Sequence, residues 1–144
     1  MTESQIENVA ACPCQSGKMY VECCQRYHQN TIGDAATPED LMRSRYCAYS
    51  LGLADYLMKT IHANHPQASK NVKRWKAELS EYCKSTQFKG LEVIEHAMLS
   101  STEATVTFKA YLEQAGKKFT LIEKSKFIRL NSNRWVYHSA LELN

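Results

Sequence analysis

No stretch of this sequence approaches the ~18 consecutive apolar residues that a membrane-crossing helix needs. The opening Met1-Thr2-Glu3-Ser4-Gln5 is polar and acidic, which excludes a secretory leader with a basic start and an apolar middle. These two absences predict a cytoplasmic protein with no membrane partner, in a compartment where cysteines stay reduced and open to metal. Glycine and proline are scarce, at five and three in 144 residues, and no repeat or low-complexity tract occurs. Collagen-like and linker-dominated chains are excluded by that composition. A strong charge of one sign is lacking too, because a net charge of +3 is too small to predict a nucleic-acid partner by itself. The basic residues are unevenly spread, with seven Lys/Arg against two Glu in residues 59–89 and six against one in 117–134. Solvated lysines explain this; an RNA- or ribosome-binding patch would need the two stretches to share one face.

What is present is an ordinary globular composition, 44% hydrophobic and 23% charged. It is enough to bury a core in about one domain with a small appendage. The informative stretch is Cys12-Pro13-Cys14-Gln15-Ser16-Gly17-Lys18-Met19-Tyr20-Val21-Glu22-Cys23-Cys24, which holds four of the six cysteines. Ser16-Gly17 is a turn signal that lets a C-x-C pair meet a C-C pair. Four converging thiolates are what a tetrahedral Zn²⁺ site requires, and such a site is closed, with no position left for substrate. A disulfide framework is the alternative. It fits poorly with adjacent Cys23 and Cys24 and with Cys47 and Cys83 far away. His28, four residues beyond Cys24, could replace a cysteine, but four cysteines already complete the set. Residues 1–30 read as one small module whose cysteine part, residues 12–28, cannot bury a core and should depend on metal to fold, while the larger remainder should fold without it.

Residues 1–11 read as a polar lead-in with at most one helical turn, and residues 31–37 as a linker. Thr37-Pro38-Glu39-Asp40 is an N-cap, a first-turn proline and two acids at the positive end of a helix dipole. A helix is predicted from there to Leu51, with Leu41, Cys47, Ala48 and Leu51 facing inward, ended by Gly52. Leu53–His62 reads as a second helix and Asn71–Ser85 as a third, with Trp75, Leu79 and Tyr82 on one face. From Phe88 the period becomes two. Strands are predicted over 88–99, about 104–113, 119–130 and 134–141, with Ala104, Val106, Phe108, Ala110 and Leu112 alternating inward and a glycine turn at Gly116. Helices followed by an antiparallel meander define an α+β fold over residues 38–144.

Cys-Pro-Cys-x-Ser-Gly-Lys-x-Tyr-x-x-Cys-Cys resembles the SEC-C motif. In that family the cysteine pairs bind zinc and the module docks onto an export chaperone or the ribosome. Gln15 departs from the motif, where glycine is common. Leu41-Met42-Arg43-Ser44-Arg45-Tyr46-Cys47-Ala48-Tyr49, Asp55–His62, Glu95-His96, Glu123–Phe127 and Trp135-Val136-Tyr137 are similar to the YchJ family of uncharacterised bacterial proteins. That resemblance implies a SEC-C module joined to a nuclear-transport-factor-2-like domain, a cone of three helices on a curved antiparallel sheet. It also implies a pocket between helices and sheet. The residues expected to line it are Arg45, Tyr46, Tyr49, His62, His96, Glu123, Ser125, Phe127, Trp135 and Tyr137.

Each group has a structural and a functional reading. Arg45 needs a partner if it points inward, either an ion pair with Glu123 or Glu95, or an anionic ligand. His62 and His96 serve capping and packing, or else general acid–base chemistry across strands. Cys47 and Cys83 read as core filling. The function expected is therefore non-enzymatic: zinc, Cys12, Cys14, Cys23 and Cys24 as ligands, a protein partner docked on the zinc module, and a small-molecule ligand or a second copy of the chain met by the cone domain. A dehydratase-, isomerase- or hydrolase-type enzyme using the pocket is one alternative, and a ribosome- or RNA-associated factor is another.

Overall fold

The computed structural model describes residues 10–30, 34–68 and 71–144. The lead-in, apart from Ala10 and Ala11, and the first half of the expected linker lie outside the described residues. Within the cysteine segment a 3-10 turn, Tyr20–Glu22, is followed by one turn of helix, α1 (Gln25–His28). Then come α2 (Pro38–Leu51), α3 (Ala54–Lys59), α4 (Val72–Ser85) and four strands, β1 (Thr86–Met98), β2 (Glu103–Gln114), β3 (Lys117–Arg129) and β4 (Trp135–Leu143).

Local chemistry accounts for the helix ends. Thr37 Oγ1 accepts a hydrogen bond from the Asp40 amide at 3.1 Å, Pro38 opens α2, and Gly52 closes it in the left-handed region with φ 75°. Asn71 caps α4 by accepting from the Arg74 amide at 3.0 Å. The second helix is shorter than its sequence predicts. After Lys59 the backbone leaves α3 to bridge β4: the Tyr137 amide donates to the Thr60 carbonyl and the His62 amide to the Tyr137 carbonyl, both at 2.8 Å. A sheet bridge replaces the last helical turn. Leu51, expected inside, is exposed at the end of α2.

The sheet is an antiparallel meander in the order β1-β2-β3-β4. Its β2–β3 turn holds Ala115 (φ 50°) and Gly116 (φ 79°), the pair of positive dihedrals that a tight two-residue hairpin requires. The cone inferred from the family resemblance is not what forms. Register runs β1 to β2, β2 to β3 and β3 to β4 with no pairing between β1 and β4, so the sheet is open and is not curled or closed on itself. Four strands leave two edges; closure takes more strands, all strongly tilted.

Helices lie on one sheet face. Leu41, Cys47 and Ala48 of α2, Leu57 of α3, and Val106, Ala110, Leu112 and Phe127 of the sheet are buried together. The alternation of β2 and β3 sends Glu123, Ser125 and Phe127 to this face, opposite Phe108, Val106 and Ala104. Lys124 and Lys126 take the other face, paired with Glu142 at 3.8 Å and Glu103 at 3.0 Å. The helix α4 packs less closely. Among its residues only Cys83 is buried, and Trp75, Leu79 and Tyr82 face a cavity instead of closed core.

Candidate metal centre and helix–sheet cavity

A short antiparallel bridge between Ala11 and Met19 folds the cysteine segment back on itself. The Cys12 amide donates to Lys18 at 2.9 Å, and the Gln15 amide donates to Cys12 at 3.0 Å. Both Gln15 (φ 62°) and Gly17 (φ 89°) take left-handed backbone, which explains why glycine suits position 15 in the motif. Gln15 accepts that conformation and uses its side chain, bonding the Lys89 carbonyl and the Leu91 amide of β1.

The fold brings the sulfurs of Cys12, Cys14, Cys23 and Cys24 within 4.8 Å of one another, all buried. Cys14 and Cys23 are 3.6 Å apart, and Cys23 and Cys24 are 3.9 Å apart. A regular zinc–thiolate tetrahedron, with bonds of about 2.3 Å, has edges of roughly 3.8 Å. The donor set and its spacing therefore fit a tetrahedral, sulfur-preferring cation. Electrostatics agree. Hydrogen bonds from Cys14, Cys24 and Cys47, strongest from Cys14, hold the Cys12 thiol down despite burial. Hydrogen bonding to Cys12 pushes Cys14 up to about 11 and, with burial, raises Cys24 further. Raised in this way, Cys14 and Cys24 keep their protons until a divalent cation replaces them.

The segment is bolted to α2. Arg43 Nη1 donates to the Cys14 carbonyl at 2.8 Å while its Nε pairs with Glu39 at 3.1 Å. The Tyr27 hydroxyl donates to Asp40 at 3.2 Å. His28, which the sequence left outside the ligand set, is a bracket. Its Nε2 lies 2.8 Å from the Ser44 carbonyl, which only accepts, so Nε2 carries the proton and Nδ1 accepts from Tyr20 at 2.8 Å. Burial lowers the His28 pKa below 6.5, partly offset by that carbonyl. A depressed folded value means stability present above pH ~6.5 and lost as pH falls through the folded value. The stability gap between the wild-type protein and His28→Gln, from denaturant midpoints at matched metal content, is therefore expected to narrow as pH drops from 7.5 to 5.5.

Between α2, α4 and the sheet lies a cavity of about 760 Å³. Seven of the ten expected pocket residues line it: Arg45, Tyr46, Tyr49, Glu123, Ser125, Phe127 and Tyr137. The other three do not. His62 sits beside His138, ring centres 5.2 Å apart, and its Nδ1 accepts from the Asn64 amide. His96 is exposed on β1. Trp135 is buried, with the Arg129 guanidinium 5.8 Å from its ring. Trp75, Leu79 and Tyr82, which the sequence marks as one helix face, form a further wall; their spacing shows a face but not what the face meets.

Polar groups gather at one end. The Tyr137 hydroxyl donates to Glu123 Oε2 at 3.0 Å, and the Ser125 hydroxyl donates to the same oxygen. Burial first, then the Glu123 charge, pushes the Tyr137 phenol well above its ordinary value. Arg45 makes no ion pair with Glu123 or Glu95 among the described residues. Instead its Nη1 donates to the Leu57 carbonyl at 2.9 Å and to Thr60 Oγ1 at 2.6 Å, and its guanidinium lies 5.0 Å from the Tyr137 ring centre. Removing it leaves buried acceptors unmet, so Arg45→Met is expected to cost about 3 kcal/mol in chemical denaturation.

The chain is similar in structure to solved SEC-C motif-containing proteins. One from Psychrobacter arcticus superposes with a TM-score of 0.75 at 28% identity, covering 93% of this chain and 83% of that one. RPA3114 from Rhodopseudomonas palustris gives 0.74 at 28% identity, covering 92% and 98%. The family model described as YchJ, middle NTF2-like domain, matches residues 37–140, and the chain belongs to the YchJ family. UPF0225 protein VP1145 of Vibrio parahaemolyticus is 36% identical over 129 residues, spanning 89% of this chain and 72% of that protein. Among the described residues no helix is long and apolar enough to cross a membrane.

Proposed function

We propose that this chain is a non-enzymatic binding protein organised by zinc. Cys12, Cys14, Cys23 and Cys24 hold a closed structural Zn²⁺, and the cavity between α2, α4 and the sheet takes a small molecule. The observation that carries this reading is the cavity itself: about 760 Å³ with aromatic and aliphatic walls and one polar end, the size and character of a ligand site. Among the described residues no histidine lines it, and burial with the Glu123 charge raises the Tyr137 phenol, which favours its protonated form. Zinc, with four thiolates around it, supplies rigidity rather than an open Lewis-acid position.

The polar end narrows the ligand class. Glu123 Oε2 accepts two hydrogen bonds, and Oε1 accepts none among the described residues. The Arg45 guanidinium, against the Tyr137 ring in the same cavity, is already a cation and disfavours a positively charged head. A flat, largely apolar molecule with a neutral hydrogen-bond-donor head, such as a phenol, an aromatic amide or an indole, fits that balance. Titrating the metal-loaded protein with members of this class, followed by tryptophan fluorescence from Trp75, tests it. Saturable quenching is expected, and none across the class removes the ligand-binding reading.

The fixed N-terminal segment also serves as a docking head for a protein partner, a chaperone or the ribosome. Capture by the intact protein and by Cys23→Ser/Cys24→Ser compares the two states. The docking role requires partners that the double variant loses, and identical sets remove it.

A further inference from the structure

Cys47 lies 35 residues from Cys12, in the middle of α2, with no metal-ligand spacing to mark it. In the fold it is fully buried, and its sulfur lies 3.9 Å from that of Cys12. That separation matches the 3.6 and 3.9 Å found within the cluster. Cys24 and Cys14 also act on its thiol electrostatically. Cys47 thus abuts the inner, α2-facing edge of the four-thiol group. Cys23 takes a different side, with Cys14, Cys24 and the Ser16 hydroxyl, 3.2 Å away, as neighbours. Cys83, the remaining cysteine, is buried on α4 and makes no sulfur contact among the described residues.

We propose that Cys47 is a reserve ligand: when the Cys12 thiolate is lost from the centre, Cys47 completes a four-sulfur shell with Cys14, Cys23 and Cys24. The inference rests on the zinc reading above. Rotation about χ1 carries a cysteine sulfur between staggered positions without moving its helix, and Cys47 begins one sulfur contact away. On entering the shell, the Cys47 thiol gives its proton to solvent and its sulfur takes the vacated position, with no change of oxidation state. The exchange would also tie the N-terminal segment to α2 through the metal itself. A centre with five sulfurs for four positions survives the loss of its inner ligand.

Metal content after dialysis and the sulfur-to-cobalt charge-transfer absorption of Co²⁺-loaded protein read this directly, the latter scaling with the number of bound thiolates. Four chains are compared with the wild-type protein: Cys12→Ala, Cys47→Ala, Cys12→Ala/Cys47→Ala and Cys23→Ala. Cys12→Ala and Cys47→Ala are each expected to keep about one metal per chain with charge-transfer intensity near the wild-type value, the four-sulfur shell of such sites. The double variant is expected to lose the metal, or to hold it with three-sulfur intensity. Cys23→Ala is expected to behave like the double variant, because Cys47 does not reach its side. Equal loss from Cys12→Ala and the double variant, or three-sulfur intensity in Cys12→Ala, overturns the reserve role, as does a Cys12→Ala chain too unstable to hold metal. A metal-free wild-type protein would instead sink the zinc reading beneath it.

Discussion

Cys23→Ser/Cys24→Ser is expected to lower the melting temperature of the whole chain by roughly 8–16 °C, in one transition that includes the helix–sheet domain. The reason is where the cysteines sit. Cys12, Cys14 and Cys24 share a continuous buried cluster with Leu41, Met42, Cys47 and Leu91, so the metal centre is part of the wall that closes α2. Arg43 of α2 donates to the Cys14 carbonyl, and His28 donates to the Ser44 carbonyl of α2, both at 2.8 Å, which ties α2 to that wall. Structural zinc contributes its binding free energy to folding. If only about 4 kcal/mol of it reaches the shared core, the shift is roughly 8–16 °C for a domain of this size. Calorimetry of the wild-type protein, the double variant and the chelated protein checks it. Two separated transitions, the upper one unchanged by chelation, would show instead the independent larger domain that length and composition suggest.

Much of this arrangement is legible in the sequence because it is local. Thr37-Pro38-Glu39-Asp40 opens a helix by capping and dipole chemistry that needs no tertiary partner. The alternation through Ala104–Leu112 sets the inner face of β2, and by register that of β3. The C-x-C and C-C pairs are brought together by a turn within the same short segment. What is not legible depends on distant meetings. Cys47 joins the sulfur group across 35 residues, and no spacing rule links a mid-helix cysteine to a motif so far upstream. The end of α3 is decided by the Tyr137 strand, which competes for the Thr60 and His62 backbone groups. The sequence leaves Arg45 with an ion pair or an anionic ligand as its choices, yet a helix-terminal carbonyl, a threonine hydroxyl and an aromatic face meet it. Whether a four-stranded meander stays open or curls is set by edge pairing, which no single strand encodes.

Leu79→Trp is expected to abolish small-molecule binding, by roughly a hundredfold or more, while leaving the fold intact. Leu79 lies on the half-exposed inner face of α4 and lines the cavity with Trp75 and Tyr82. A larger ring there occupies the volume a ligand needs. Overpacking a closed core costs about 1–3 kcal/mol, but here the added atoms enter open space, so the melting temperature should move little. Glu123→Gln separates shape from polarity. It keeps the cavity volume but replaces the charged acceptor that Tyr137 and Ser125 hold in place. A hydrogen bond to a charged group is worth about 1.5–3 kcal/mol, so ligands with a donor head should weaken about tenfold or more, and analogues lacking that head should bind unchanged. Fluorescence titration of both variants with one donor-headed and one headless aromatic decides between a recognition site and a merely greasy gap. Equal weakening of both molecules in Glu123→Gln would remove Glu123 from recognition, and unchanged binding in Leu79→Trp would place the ligand outside the cavity.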